Sequence, residues 1–127
     1  MKYDIVDIKR IKLDPENPRI ADKLGNRKFD SIEEQNSLIA SYLRGDTGNT
    51  EAGPSCLELM KSIHSSKGII EPIILLSEDD GTYLCIEGNT RLSIYLSFSN
   101  DKYPDEKEWK KIPSLIHEEL TLSLIHI

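Results

Sequence analysis

The chain has little of what marks several common chemistries. Among 127 residues there are two cysteines, Cys56 and Cys85. Neither has a second Cys or a His at metal-ligand spacing, so no zinc site is written here. Cys56 at the start of a helical pattern and Cys85 inside an apolar run read as small core residues. The three histidines, His64, His117 and His126, form no motif, and no haem or nucleophilic-triad pattern is visible. Positive charge is in deficit: 16 Lys and Arg against 22 Asp and Glu give a net charge of −6. That argues against a protein whose main task is gripping a nucleic-acid backbone. The basic residues Arg19, Lys23, Arg27 and Lys28 are diluted by Asp22 and Asp30, and form a solvated loop. No apolar run approaches membrane-spanning length and no basic-then-apolar leader opens the chain. The expectation is a cytoplasmic protein with no membrane partner.

What is present fits one domain able to bury a core without disulfides or a structural metal. Residues 3–13 alternate apolar and polar, which predicts one or two short strands with a break near Lys9-Arg10. In Asp14-Pro15-Glu16-Asn17-Pro18-Arg19 two prolines force a stiff loop that can hold Arg19 in one place. Ser31 and Glu34 form a capping box. The helix they open carries Ile32, Leu38, Ile39, Tyr42 and Leu43 on one face and ends at Gly45. A polar loop follows, Asp46 to Pro54. Ser55 and Glu58 suggest a second capping box, Leu57, Met60, Ile63 and His64 a buried stripe, and Gly68 a left-handed helix end. Ile73 to Leu76, four apolar residues running, predict a strand buried on both faces. Asp79-Asp80-Gly81 predicts a hairpin turn to a partner strand, Thr82 to Glu87. After a helix from about Thr90 to Asn100 and a charged loop anchored by Trp109, Ile112 to His117 gives a last strand, with Pro113 near its start suiting an edge or entry position. The plan is α+β, with roughly four strands and three helices.

The most informative stretch is Cys85-Ile86-Glu87-Gly88-Asn89-Thr90-Arg91-Leu92. An apolar run stops at Glu87-Gly88, and a helical pattern starts at once, with Asn89 or Thr90 placed to cap it. Gly88 frees the backbone for a sharp turn. The unpaired N–H groups of the new helix and its dipole favour an anion above the turn. Arg91, one turn in, adds a fixed positive charge with a planar fork of donors. A strand, a Gly-Asn-Thr-Arg turn and a helix make a phosphate cradle.

Four segments in this order resemble the N-terminal domain of ParB-like proteins, the ParB/sulfiredoxin-like fold. They are the strand ending in Asn17-Pro18-Arg19, the LELMKSIHSSKG helix running into IIEPIIL, the YLCIEGNTRLSIY stretch, and Ile112-Pro113 opening the final strand. Together they cover about residues 8–117. The resemblance implies a small mixed sheet with about three helices on it, in a single domain over 1–121 whose residues 31–54 are an insertion helix and loop. It implies polyphosphate at the turn from Gly88 to Arg91: ParB proteins bind CTP with magnesium and hydrolyse it slowly, and sulfiredoxins bind ATP. Other members are serine kinases, nucleases or components of plasmid, phage-defence and DNA-modification systems. Asn89 stands where sulfiredoxin has its catalytic Cys and Thr90 where the next His would be, which excludes sulfiredoxin chemistry. The Glu-Arg pair that follows the glycine in ParB is replaced by Asn89-Thr90. Its later Glu-Asn magnesium motif and its helix-turn-helix have no match in this chain. Residues 122–127, LSLIHI, resemble the translation of a sequencing-library adapter, which would make them a non-native tail.

The expected function is therefore a nucleotide-binding domain of the CTP or ATP class. Gly88, Asn89 and Thr90 would contact phosphate, Arg91 and Arg19 would neutralise it, and Asn17 would lie beside them. Gly68 and the segment from Ile70 to Pro72 would line the base or ribose. Glu87 or Glu71 would hold magnesium, or act as catalytic base with Glu16 as a further candidate. The alternatives are a phosphoryl-transfer enzyme or nuclease built on the same pocket, and an interaction module that binds no nucleotide. DNA, reached through a partner or a further domain, and a second copy of the chain are the expected macromolecular partners.

Overall fold

The computed structural model describes residues 1–14, 30–44 and 53–118, with backbone alone at 41–44 and 53–56. Among the described residues five strands form one sheet: β1 (Lys2–Asp7), β2 (Ile11–Lys12), β3 (Ile73–Ser77), β4 (Tyr83–Glu87) and β5 (Lys111–His117), in the order β1-β5-β3-β4-β2. Among the described residues three α-helices accompany them: α1 (Ile32–Arg44), α2 (Gly53–Ser66) and α3 (Asn89–Ser97). The break expected near Lys9-Arg10 is a 3-10 turn over Ile8–Arg10, opened by the Asp7 carboxylate accepting from Lys9 N–H. One strand more than expected results, because residues 2–12 divide between opposite edges of the sheet.

The pairing is mixed. β1 lies antiparallel to β5 and β3 antiparallel to β4, while β2 with β4 and β3 with β5 are parallel. The core gathers on one face, where Val6, Ile73, Leu75, Cys85, Ile112 and Ile116 meet the buried faces of the helices and Trp109. The strand expected to be buried on both faces is buried on one: Ile73 and Leu75 are covered, Ile74 and Leu76 only half. The core cluster lies on the Ile73 and Leu75 side of the strand, because side chains of a strand alternate between its faces.

β2 is an edge strand, and α1 closes it with a side chain. Buried Asn36 accepts from Leu13 N–H at 2.8 Å and donates to the Ile11 carbonyl at 2.7 Å, imitating a neighbouring strand. The Ser31 box is present: Ser31 Oγ accepts from Glu34 N–H at 3.1 Å, and Glu34 reaches back to Asp30 N–H.

Several local expectations are corrected. α2 starts at Gly53, two residues before Ser55, with Pro54 in its first turn where a missing N–H costs nothing. Leu57 is exposed, and the buried stripe runs through Met60 and Ile63. The left-handed residue at the end of α2 is Lys67, with φ 60°. Lys67 N–H donates to the His64 carbonyl and Gly68 N–H to the Ile63 carbonyl, the paired bonds of a Schellman end one residue earlier than expected. Gly68 then takes φ 147°. Pro113 lies in an interior strand, opposite Ile5. That position does without a ladder amide from Pro113, and the Ile5 N–H itself donates to Asp4 Oδ1 at 2.8 Å. The Asp79-Asp80-Gly81 turn is as expected, with Gly81 at φ 83° and Glu78 N–H donating to the Thr82 carbonyl.

His64 and Trp109 join the end of α2 to the charged loop. His64 stacks on Tyr103 with ring centroids 4.1 Å apart, and buried Trp109 donates its indole N–H to Glu106 Oε1 at 2.7 Å. Among the described residues no helix is long and apolar enough to cross a membrane.

Candidate functional site

Because β2 and β4 run parallel and β3 runs against them, one end of the sheet collects the exits of β2 and β4 and the approach to β3. That end carries Asp14, Glu87–Arg91 and Glu71-Pro72. Gly88 caps α3 with φ 99° and ψ 23° and, being glycine, contributes no side-chain cap bond of its own. The cap is thus the glycine itself, not Asn89 or Thr90. Two constraints demand glycine. The backbone is left-handed, and a Cβ would meet Ile73 Cγ2 at 2.4 Å.

Arg91 folds back over this turn. Its Nη2 lies 3.0 Å from where a Gly88 Cβ would sit, and its Nη1 donates to the Glu71 carbonyl at 2.6 Å. The guanidinium is therefore held between the turn and the approach to β3 by a main-chain oxygen, which leaves its charge unneutralised by that bond. The first-turn N–H groups of α3 have no acceptor within the helix, and its dipole adds partial positive charge.

Asn89 serves the architecture. It is 7% exposed. Its Oδ1 accepts from Asp14 N–H at 3.0 Å and its Nδ2 donates to the Cys85 carbonyl at 3.2 Å. The side chain stitches the exit of β2 to the start of α3, and what it offers a ligand is its backbone N–H. Thr90 is half-buried, and its carbonyl accepts from Ser93 Oγ at 2.6 Å. Glu71 and Glu87 are exposed, Gly68 and Pro72 half-buried. Arg19, Asn17 and Glu16 lie outside the described residues.

A cleft of about 270 Å³ opens between α2, through Leu59, Ser62 and Ser66, and the loop from Gly68 to Glu71, with Arg91 also lining it. The structure thus brings Gly68, Glu71 and Arg91 to one cavity. It adds Ser62 and Ser66, which as ordinary helix residues carry no signal in the sequence. Cys85 is a buried free thiol beside this end. Burial pushes its pKa far up; the Arg91 charge opposes this, and the Asp14 and Glu87 charges reinforce it. The thiol is therefore neutral and hidden, unsuited to nucleophilic work. Among the described residues no group of three or more His, Cys, Asp or Glu could hold a metal ion.

No family model matches the chain, and no curated protein matches it. Solved structures do. The chain is similar to the C-terminally truncated chromosome-partitioning protein ParB from Caulobacter crescentus, complexed with CTP-gamma-S, with a TM-score of 0.55 and 15% identity over 99% of this chain and 49% of that one. It is also similar to sulfiredoxin from Arabidopsis thaliana, with a TM-score of 0.50 and 17% identity over 99% of this chain and 96% of that one. The chain spans about half the length of the ParB structure that it matches. The fold is ParB/sulfiredoxin-like, an α+β domain with a mixed five-stranded sheet.

Proposed function

We propose that this chain is a nucleotide-binding domain that seats phosphate on the turn from Gly88 to Arg91. The observation that carries the reading is the Arg91 guanidinium, folded over a side-chain-free turn at a helix N-terminus and fixed there by the Glu71 carbonyl. Such a seat offers backbone N–H groups, a helix dipole and a planar fork of donors to a phosphate. The similar ParB structure, which holds CTP-gamma-S, supports a nucleoside triphosphate as the ligand. The cleft beside Arg91 would take the base and ribose against Gly68, Ile70 and Pro72, and Arg19 and Asn17 would complete the anion's surroundings. Glu71 or Glu87 would contribute at most one or two oxygens to magnesium, which would take its others from phosphate and water. Either could serve as the base in slow hydrolysis. A role in a plasmid, phage-defence or DNA-associated system, with DNA or a second copy as partner, belongs to the same proposal.

Calorimetric titration with CTP, ATP, GTP and ADP in the presence of magnesium tests it. Heat of binding with at least one nucleotide, reduced tenfold or more in Arg91→Ala, is the expected result. No heat with any of them, or an unchanged affinity in the variant, would overturn the reading. One observation favours the interaction-module alternative: the sheet face away from the core presents Tyr3, Ile5, Pro113, Leu115, Ile74 and Leu76, all exposed or half-buried. A nucleotide-silent chain that self-associates in sedimentation would favour it.

A further inference from the structure

Two residues on one face of α3 grip the same loop. Arg91 Nη1 donates to the Glu71 carbonyl at 2.6 Å, and Tyr95 Oη accepts from Ile69 N–H at 3.0 Å. Positions four apart on a helix lie one above the other, so the two grips are stacked along α3. They hold the main chain on either side of Ile70. Gly68 makes the approach possible, since a Cβ there would come 3.2 Å from Tyr95 Oη.

Tyr95 is 1% exposed and packs its ring against Trp109, edge to face at 5.2 Å. Phenylalanine would fill that space equally well. The hydroxyl is a buried polar group whose bond is spent on the loop. Between the two held neighbours Ile70 is 92% exposed and lines the same cleft as Arg91. A single exposed apolar residue is unremarkable in general. This one is fixed from both sides by α3 and serves no part of the core.

We propose that Tyr95 is a positioning residue of the cleft: through the Ile69 amide it holds Ile70 as an apolar shelf for the ring of a nucleobase, while the phosphate lies on the Gly88 turn. This rests on the nucleotide reading above. It separates two parts of one site, an anion seat governed by Arg91 and a base shelf governed by Tyr95.

The full chain, as wild type, Tyr95→Phe and Ile70→Ser, is titrated with CTP, ATP and inorganic tripolyphosphate, which has the anion without the base. Wild type is expected to prefer a nucleotide over tripolyphosphate. Tyr95→Phe should lose about fivefold in nucleotide affinity, the worth of one hydrogen bond, and keep tripolyphosphate affinity within about twofold. Ile70→Ser should show the same selective loss. In the absence of ligand, Tyr95→Phe should speed hydrogen exchange at the Ile69 amide. Equal weakening toward both ligands would indicate general loosening and overturn the proposal, as would unchanged nucleotide affinity or unchanged exchange. Wild type that binds tripolyphosphate but prefers no nucleotide would also overturn the shelf, leaving the anion seat in place. Wild type that binds neither would sink the nucleotide reading itself, and the shelf with it.

Discussion

Gly88 sits so close to Ile73 that a Cβ on it would lie 2.4 Å from Ile73 Cγ2 and 2.8 Å from Ile73 Cβ. The first residue of β3 and the cap of α3 are thus in contact across the end of the sheet, and the contact is backbone against side chain. The turn has no room for a side chain because the core comes up directly beneath it.

Gly88→Ala should therefore destabilise the fold by about 3 kcal/mol, from overpacking against Ile73 plus left-handed strain. Urea unfolding checks this. Gly81→Ala is a useful comparison, because its φ of 83° is equally left-handed but nothing lies within 4 Å of its Cβ position. It should cost about 1 kcal/mol, the strain alone.

Lys67 occupies the left-handed position that ends α2, with φ 60°. Lys67→Gly relieves that strain while making the unfolded chain more flexible. The net expectation is a gain of about 0.5 to 1 kcal/mol in urea unfolding. Lys67→Ala should leave stability close to that of wild type.

Asn36 provides two of the hydrogen bonds by which α1 closes the edge at β2, and Gln35 Nε2 donates a third to the Leu13 carbonyl at 3.2 Å. Asn36→Ala leaves a buried N–H and a buried carbonyl short of a partner and should cost about 2 to 4 kcal/mol. Ser37→Ala, one position along on the exposed side of α1, should change stability by less than about 0.5 kcal/mol. Chemical denaturation of the pair separates the edge closure from the helix itself.

Cys85 and Glu106 are two of the described groups through which stability depends on pH. The Cys85 thiol is pushed up by burial, so the folded chain keeps a proton that the unfolded chain loses above its ordinary value of 9.0. Stability from this group is present below that value and lost as pH rises above it. Cys85 in the folded chain should also resist thiol reagents at pH 8 and react on unfolding, a difference that mass spectrometry of labelled peptides reads directly. Glu106 is held below the ordinary carboxylate value of 4.5, chiefly by the Trp109 indole N–H, with the His64 and Lys67 charges adding to it. Its contribution is present above 4.5 and lost as pH falls through the lower folded value. Thermal unfolding followed by Trp109 fluorescence should show a fall on the acid side that Glu106→Gln flattens.

Much of the architecture was legible in the residues. Alternation marked β1 and β2, the Ser31–Glu34 box marked the start of α1, and Asp79-Asp80-Gly81 marked the hairpin, because each is a local arrangement that short-range chemistry dictates. The misses were of another kind. A capping box at Ser55 is legible without being the helix start, since Pro54 opens α2 earlier. Gly68 was the natural choice for a left-handed cap, yet Lys67 takes that place while Gly68 meets the need for a close approach to Tyr95. At Asn89 a polar residue in a phosphate-like turn pointed to a ligand, and its side chain faces the protein.

The sequence by itself determined the Gly88 turn, the charge at Arg91, the order of strands and helices along the chain and the resemblance these carry. Local periodicity, turn chemistry and charge need no distant partner. Only the tertiary structure decided that Arg91 closes over the turn onto Glu71, that Asn89 binds Asp14, and that Tyr95 holds Ile69. Those bonds join residues 20, 75 and 26 positions apart. The reason is that a side chain's partner across such distances is chosen by how the sheet and its helices stack, which no short window of residues contains.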